Sequence, residues 1–336
     1  IAGRILQANL RAALVTDFYV SDGSDRAVYS PRSTYRGYQY VQITLPSSKQ
    51  PLAPECVGGL VLSSDSLPTG TYHAETWDGV TGRLVNQLFR NIQRSQLGNF
   101  FTLPTDCPQR NERMGWTGDA QAYARTAAYN SDVYGFFLQW MRSLRADQTA
   151  EGGIGSTIPE YSRERPTGFP DGTTWGAAVC MVPWQMWCQY GDRQIVQDNL
   201  DAMVRWLDGM AGYPMSERFP HLSSRTGGLA DWLAMDARTP ADLVNNAIYI
   251  YMMEVTARMA SAVGRPDISR RLTERHRLAK QEWNLCYVDE HTGQTRSADG
   301  EQVHTQSSYA TPLNFNCFSS ENLQRAQQWL ACLAEH

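Results

Sequence analysis

Pro104-Thr105-Asp106-Cys107-Pro108-Gln109-Arg110-Asn111-Glu112-Arg113-Met114-Gly115-Trp116-Thr117-Gly118-Asp119 gathers three carboxylates, two guanidiniums and a tryptophan into sixteen residues broken by Pro and Gly. Neither the helical nor the strand period runs through it, so its charges are not the polar back of a packed element. A helical pattern precedes it and a longer one follows. Charges in a constrained loop between helices form either a solvated connection, the commoner case, or a site carried by a rigid scaffold.

On the C-terminal side the helical patterns continue. Asp119 to Leu144 reads as one long amphipathic helix, with Tyr123, Ala127, Tyr134, Phe137 and Met141 on one side. Thr174 to Tyr190 follows, then Ile195 to Met210, where Val196, Leu200, Met203, Leu207 and Met210 recur every third or fourth residue. Asp242 to Val263 is closed by Gly264 and Pro266, as a helix stop should be. Asp267 reads as the N-cap of a helix reaching about Cys286, and weaker patterns cover Gln302 to Leu313 and Ser320 to Leu333. Before the loop, Leu84, Leu88, Ile92 and Leu97 or Gln96 mark the first helix.

That makes about eight helices in series with almost no strand. The longer loops, 98–118, 146–173 and 212–240, hold the Gly, Pro, Trp and charged residues. Helical hairpins set around an axis, with functional loops at one mouth, suit this order. The expected architecture is mainly α: an incomplete (α/α)6 barrel over 79–336, about eight of twelve helices, truncated at its C-terminal end. Residues 1–78 read as the C-terminal part of an antiparallel β-sandwich domain. There, 27–32, 38–44 and 58–62 are strand candidates, separated by turn clusters at 21–25, 46–48 and 68–70.

Composition narrows the function classes. Net charge is −4 with both signs interspersed, so no nucleic-acid partner is expected. No run of ~18 apolar residues predicts a membrane span. Seven cysteines without a C-x-x-C pair argue against a zinc ribbon or a full disulfide framework, and the six histidines form no H-E-x-x-H. No metal or cofactor is expected. Ten tryptophans and sixteen tyrosines suit a large helical core, and equally a cleft that packs aromatic faces on sugars.

The sixteen-residue loop resembles the signature of the α-L-rhamnosidases of glycoside hydrolase family 78, roughly D-C-P-Q-R-D-E-R-x-G-W-x-G-D, departing from it at Asn111. Tyr29 to Val41 is similar to the family's Y-x-P-R-F-T-Y-x-G-F-R-Y-V, which stands just before the barrel. Thr174-Trp175-Gly176-Ala177-Ala178-Val179-Cys180-Met181-Val182-Pro183-Trp184 resembles W-G-D-A-A-V-x-V-P-W, with the family's Asp absent after Gly176. Gly228-Leu229-Ala230-Asp231-Trp232-Leu233 is similar to G-L-G-D-W-L.

Cleaving a glycoside takes one acid to protonate the leaving oxygen and a second carboxylate as base or nucleophile. Burial and nearby carboxylates keep a proton on such an acid; nearby guanidiniums remove it. The resemblance implies that Glu112 is the general acid. It implies that Asp106, Arg110 and Asp119 bind sugar hydroxyls, and that Trp116, Trp175 and Trp232 pack against rhamnose. Without it, Glu112 is a surface salt-bridge partner, and Trp175 and Trp232 are core. Trp184, Trp187, Trp206 and Trp283 lie in helical patterns and read as core.

The family inverts configuration, with its base in a segment like A-T-[TS]-x-W-E-x-W; this chain has none, so the expectation is a fragment that holds the acid and lacks the base. The implied partner is a rhamnose-containing glycoside or polysaccharide, met in the periplasm or outside the cell. Oligomeric state is not legible. The alternative reading is a non-catalytic rhamnose- or glycan-binding protein on a decayed (α/α)6 barrel.

Overall fold

The structure, a computed structural model, describes residues 5–45, 52–64, 66–76, 78–161, 173–226, 230–235 and 237–335. It divides into two compact units, Ile1–Gly115 and Trp116–His336.

The first unit carries short 3-10 turns at Ala8–Leu10 and Pro54–Cys56, one long helix α1 (Val80–Asn99), and a minimal hairpin of β1 (Phe100–Phe101) and β2 (Leu103–Pro104). Asp78, just ahead of α1, accepts the N–H groups of Val80 and Thr81 at 3.1 and 3.0 Å, two donors that have no partner inside a helix. The extended chain before it is tied down by Asn86, whose amide both accepts from Ala74 N–H (2.8 Å) and donates to Ala74 C=O (2.9 Å). Gly82 lets that chain approach, since a Cβ there would stand 2.9 Å from the Ala74 carbonyl oxygen.

The strands expected at 27–32, 38–44 and 58–62 do not form; among the described residues the hairpin after α1 is the whole sheet. A strand is held by its neighbours, whereas a helix closes its own hydrogen bonds. Among the described residues no strand lies alongside these stretches, and Val28, Leu60 and Val61 are 88%, 82% and 85% exposed. The turn at 46–48 lies outside the described residues.

The second unit is helical: α2 (Thr117–Asn130), α3 (Tyr134–Asp147), α4 (Thr173–Gly176), α5 (Ala178–Tyr190), α6 (Gln194–Ala211), α7 (Ala241–Ala262), α8 (Pro266–Tyr287), α9 (Gln306–Asn314) and α10 (Ser320–Ala334). It is built of hairpins. α5 packs on α6, α7 on α8 and α9 on α10, while α2, α5, α7 and α9 pack side by side in sequence. This alternation of an inner and an outer helix is that of an α/α barrel. Composition follows position. Inner helix α7 buries fifteen of its 22 residues, all round its circumference. Outer helix α8 buries one stripe, Ile268, Leu272, Ala279, Trp283, Cys286 and Tyr287, and turns charge outward. Trp206 and Trp283 are fully buried as expected; Trp184 and Trp187 are only partly covered and meet edge to face at 5.6 Å.

Three boundaries differ from expectation. Asp119 to Leu144 is two helices, not one. Ser131 turns extended, Asp132 accepts the Tyr134 N–H (3.3 Å), and the Val133 N–H goes to the Tyr190 hydroxyl (2.9 Å). Short polar side chains at 130–132 compete for backbone groups and stop the helix. Thr174 to Tyr190 begins as the separate turn α4, interrupted at Ala177. Asp267 is not an N-cap. Pro266 takes the first helical position, where a missing N–H costs nothing, and Asp267 follows inside the first turn.

Candidate active site

The loop after β2 is organised by its own side chains. Asp106 grips Met114 through both backbone and side chain: Asp106 N–H donates to Met114 C=O, and Met114 N–H donates to the Asp106 carboxylate oxygen Oδ1, both at 3.1 Å. The enclosed residues bring Asp106, Cys107 and Glu112 together, their ligand atoms within 4.8 Å of one another. That spacing would suit a cation, and Arg110 supplies one. Its Nε donates to Cys107 Sγ (3.1 Å), and its Nη2 lies 3.0 Å from Glu112 Oε2 and 3.5 Å from Asp106 Oδ2. Burial pushes the Cys107 thiol up, with the Asp106 carboxylate adding to the shift, so the sulfur stays a neutral acceptor.

Arg113 stands at φ 53°, a left-handed conformation uncommon outside glycine. Its Nε donates to Arg110 C=O (3.1 Å), and its guanidinium stacks 4.4 Å from the centroid of the Tyr35 ring. Tyr35 in turn meets Phe101 at 4.9 Å. Gly37 lies against Gln109, where an added Cβ would come within 3.1 Å of the Gln109 Cβ. The two stretches singled out in this part of the sequence, 29–41 and 104–119, therefore meet within the first unit.

In the second unit, Trp116 pairs with Thr157 in an isolated antiparallel bridge, and Thr117 opens α2 by donating its N–H to Ser156 C=O at 2.8 Å. Asp119 is exposed in the first turn of α2, where a negative charge also complements the helix dipole. Gly118 is covered by Trp175: a Cβ there would stand 2.3 Å from the indole. Trp175 is 8% exposed, so packing accounts for most of its surface. Its neighbour Thr174 is fixed by Gln121, which donates to the Thr174 carbonyl at 2.6 Å, and by a contact from the Thr174 hydroxyl to Asn245. Ala177, where the family pattern has Asp, is fully buried.

Trp232 is 60% exposed, so core packing does not explain it. The turn that presents it is held by Asp231, which accepts from the Thr239 hydroxyl (2.8 Å) and the Ser307 hydroxyl (3.0 Å). Gly228 and Leu229 of that motif lie outside the described residues.

Of the seven residues singled out, Asp106, Arg110 and Glu112 are thus joined in one hydrogen-bonded group in the first unit. Trp116, Asp119, Trp175 and Trp232 belong to the second. Sequence reading missed Arg11, whose Nη1 lies 2.7 Å from Glu112 Oε2, and the part of Tyr35 in shaping the loop. The Tyr35 partnership had a signal, the aromatic of the 29–41 motif; Arg11 had none.

Among the described residues, helical hairpins pack in series, and the loop that precedes them in sequence gathers carboxylates and a guanidinium. The bacterial alpha-L-rhamnosidase 6 hairpin glycosidase domain matches residues 80–335, and the bacterial alpha-L-rhamnosidase concanavalin-like domain matches residues 1–63. The chain belongs to the bacterial α-L-rhamnosidase family.

Among curated relatives, an α-L-rhamnosidase of Streptomyces avermitilis is 31% identical over 99% of this chain and 30% of its own length. One of Formosa agariphila is 29% identical over 98% of this chain and 34% of its own. The chain therefore spans about a third of the curated relatives it matches. The crystal structure of the Streptomyces avermitilis enzyme complexed with L-rhamnose aligns with a TM-score of 0.87 at 31% identity, covering 99% of this chain and 30% of that one. The native α-L-rhamnosidase of Aspergillus terreus aligns with a TM-score of 0.73 at 29% identity, over 86% of this chain and 32% of that one.

Proposed function

We propose that the protein carrying this chain is an inverting glycoside hydrolase that removes terminal α-L-rhamnose, with Glu112 as the general acid. The observation that carries the reading is the bonded group Asp106–Arg110–Glu112, in the loop that leads into a helical domain of the rhamnosidase family. Glu112 protonates the glycosidic oxygen as the bond to the anomeric carbon breaks. Asp106, Arg110 and Asp119 take sugar hydroxyls: carboxylates accept from vicinal O–H groups and the guanidinium donates. Trp116, Trp175 and Trp232 pack on the ring and its methyl group, and the exposure of Trp232 supports that role over a core one.

The hydrolytic water needs a second carboxylate as base, and no carboxylate of this chain is given that role. The 336 residues alone are accordingly proposed to bind sugar without turnover. The helical domain is proposed to begin near residue 79, so that α1 belongs to it. No step calls for a metal, since Arg110 supplies the positive charge among the acidic groups.

The test is hydrolysis of an aryl α-L-rhamnoside by the full-length protein, followed by NMR. β-L-Rhamnose as the first product supports the reading; retention of configuration or no hydrolysis sinks it. Ala177 in place of the usual Asp favours a second reading, a glycan-binding protein without activity. Rhamnose binding with no turnover in the full-length protein would select it.

A further inference from the structure

We propose that Arg11 is a positioning residue for Glu112, an inference that rests on Glu112 being the acid. Arg11 comes from the N-terminal stretch and pairs with a residue 101 positions away, Nη1 to Oε2 at 2.7 Å. It stands at the end of the 3-10 turn Ala8–Leu10 with φ 56°, a backbone state that non-glycine residues adopt at a cost. That departure from the turn accompanies a side chain that reaches the Glu112 carboxylate.

Arg110 alone holds Glu112 weakly, because it is shared. One guanidinium serves Cys107 Sγ, Asp106 Oδ2 and Glu112 Oε2, the carboxylates at 3.5 and 3.0 Å. Arg11 adds a shorter, charge-assisted contact to the same Glu112 oxygen. Two guanidiniums meeting at Oε2 fix the rotation of the carboxyl about its last bond, and with it the direction of Oε1. A general acid works only within hydrogen-bond reach of the oxygen it protonates, so that rotation matters. Arg11 is 58% exposed and Glu112 17%. Because Arg11 keeps most of its side chain in water, its removal should cost little stability. Its effect falls on the acid's orientation.

The experiment uses leaving-group dependence in the full-length protein. A dinitrophenyl rhamnoside departs almost unaided, whereas benzyl α-L-rhamnoside needs its oxygen protonated. Arg11→Gln, which removes the charge and keeps a hydrogen-bonding end, should lower kcat for the benzyl substrate by on the order of tenfold to a hundredfold. It should leave the dinitrophenyl substrate within about twofold and KM little changed. Arg11→Lys should restore part of the loss. Equal losses on both substrates, none on either, or a faster benzyl substrate, as expected if the guanidinium only draws the proton from the acid, overturn the role of Arg11 while leaving the acid assignment standing. A wild-type protein that cleaves neither substrate overturns the acid assignment as well. An unchanged melting temperature in both variants separates orientation from folding.

Discussion

Asp106, Arg110 and Glu112 are held by charged hydrogen bonds between side chains that keep part of their surface in water. Gly118 and Trp175, from the other end of the same sequence signature and its neighbouring motif, meet by close contact, with the Trp175 indole buried on the Gly118 backbone. Charged groups that must meet a substrate need partners they can exchange for sugar hydroxyls. An indole that shapes a surface needs a backing that does not move. The two arrangements should fail differently: removing a polar group from the first should cost activity at little cost in stability, and adding an atom to the second should cost stability first.

The largest expected effect tests the polar side. Glu112→Gln keeps an oxygen for Arg110 and Arg11 and removes the transferable proton. Turnover of an unactivated rhamnoside by the full-length protein should fall by about a hundredfold to ten-thousandfold, while the melting temperature stays nearly constant. A large drop in melting temperature would mean that Glu112 is structural and would erase the contrast with Gly118.

The contrast also sorts what sequence could and could not reveal. Outer helices were legible because one stripe repeats, as in Val196, Leu200, Met203, Leu207 and Met210 of α6. Glu112 was legible through its motif. The break at Ser131–Val133 was legible only in part: the short polar run Asn130-Ser131-Asp132 is a local signal, but Tyr190, which takes the Val133 N–H, lies 57 residues away. Arg11 was invisible for the same reason, since nothing local marks it as the partner of a residue so distant. The strand candidates of 27–62 had the right alternation, but alternation says which face would be buried, not whether a neighbouring strand is present.

Gly118→Ala is the next effect in size and tests the packed side. Gly118 lies in the first turn of α2, where helix propensity alone would reward alanine by about 1 kcal/mol. The new methyl would overlap the Trp175 indole at 2.3 Å, and overpacking of this kind costs about 1–3 kcal/mol or more. The net sign should be destabilising, read as a lower melting temperature, with Trp175 fluorescence shifted by its displacement. A stabilised variant would show that the indole moves freely and that the two sides are not held differently.

Arg113 sharpens the comparison at smaller scale, since it combines a left-handed backbone with a stacked guanidinium. Arg113→Ala should cost about 1 kcal/mol through loss of the contact with Tyr35. Arg113→Gly should cost less, because glycine adopts φ 53° without penalty. Denaturant unfolding of both variants checks the order; alanine proving the milder change would mean that the left-handed backbone carries no penalty at this position.

The smallest effect concerns His276 on α8, in the helical unit. Burial pushes it below the ordinary histidine value; Glu254, 3.9 Å away, opposes that, while Lys280 and Arg258 reinforce it. A lowered value in the folded state means that the unfolded chain binds the proton more readily. The stability tied to neutral His276 is therefore fully present above the unfolded value of about 6.5 and is lost as pH falls toward the lower folded one. Stability should decline on acidification from about pH 7 to pH 5, and His276→Gln should flatten part of that slope. The informative quantity is the difference between wild type and variant at each pH, which isolates His276 from the rest of the chain. Identical slopes would mean that Glu254 offsets the burial completely, and that packing around α8 exerts no electrostatic cost on this group.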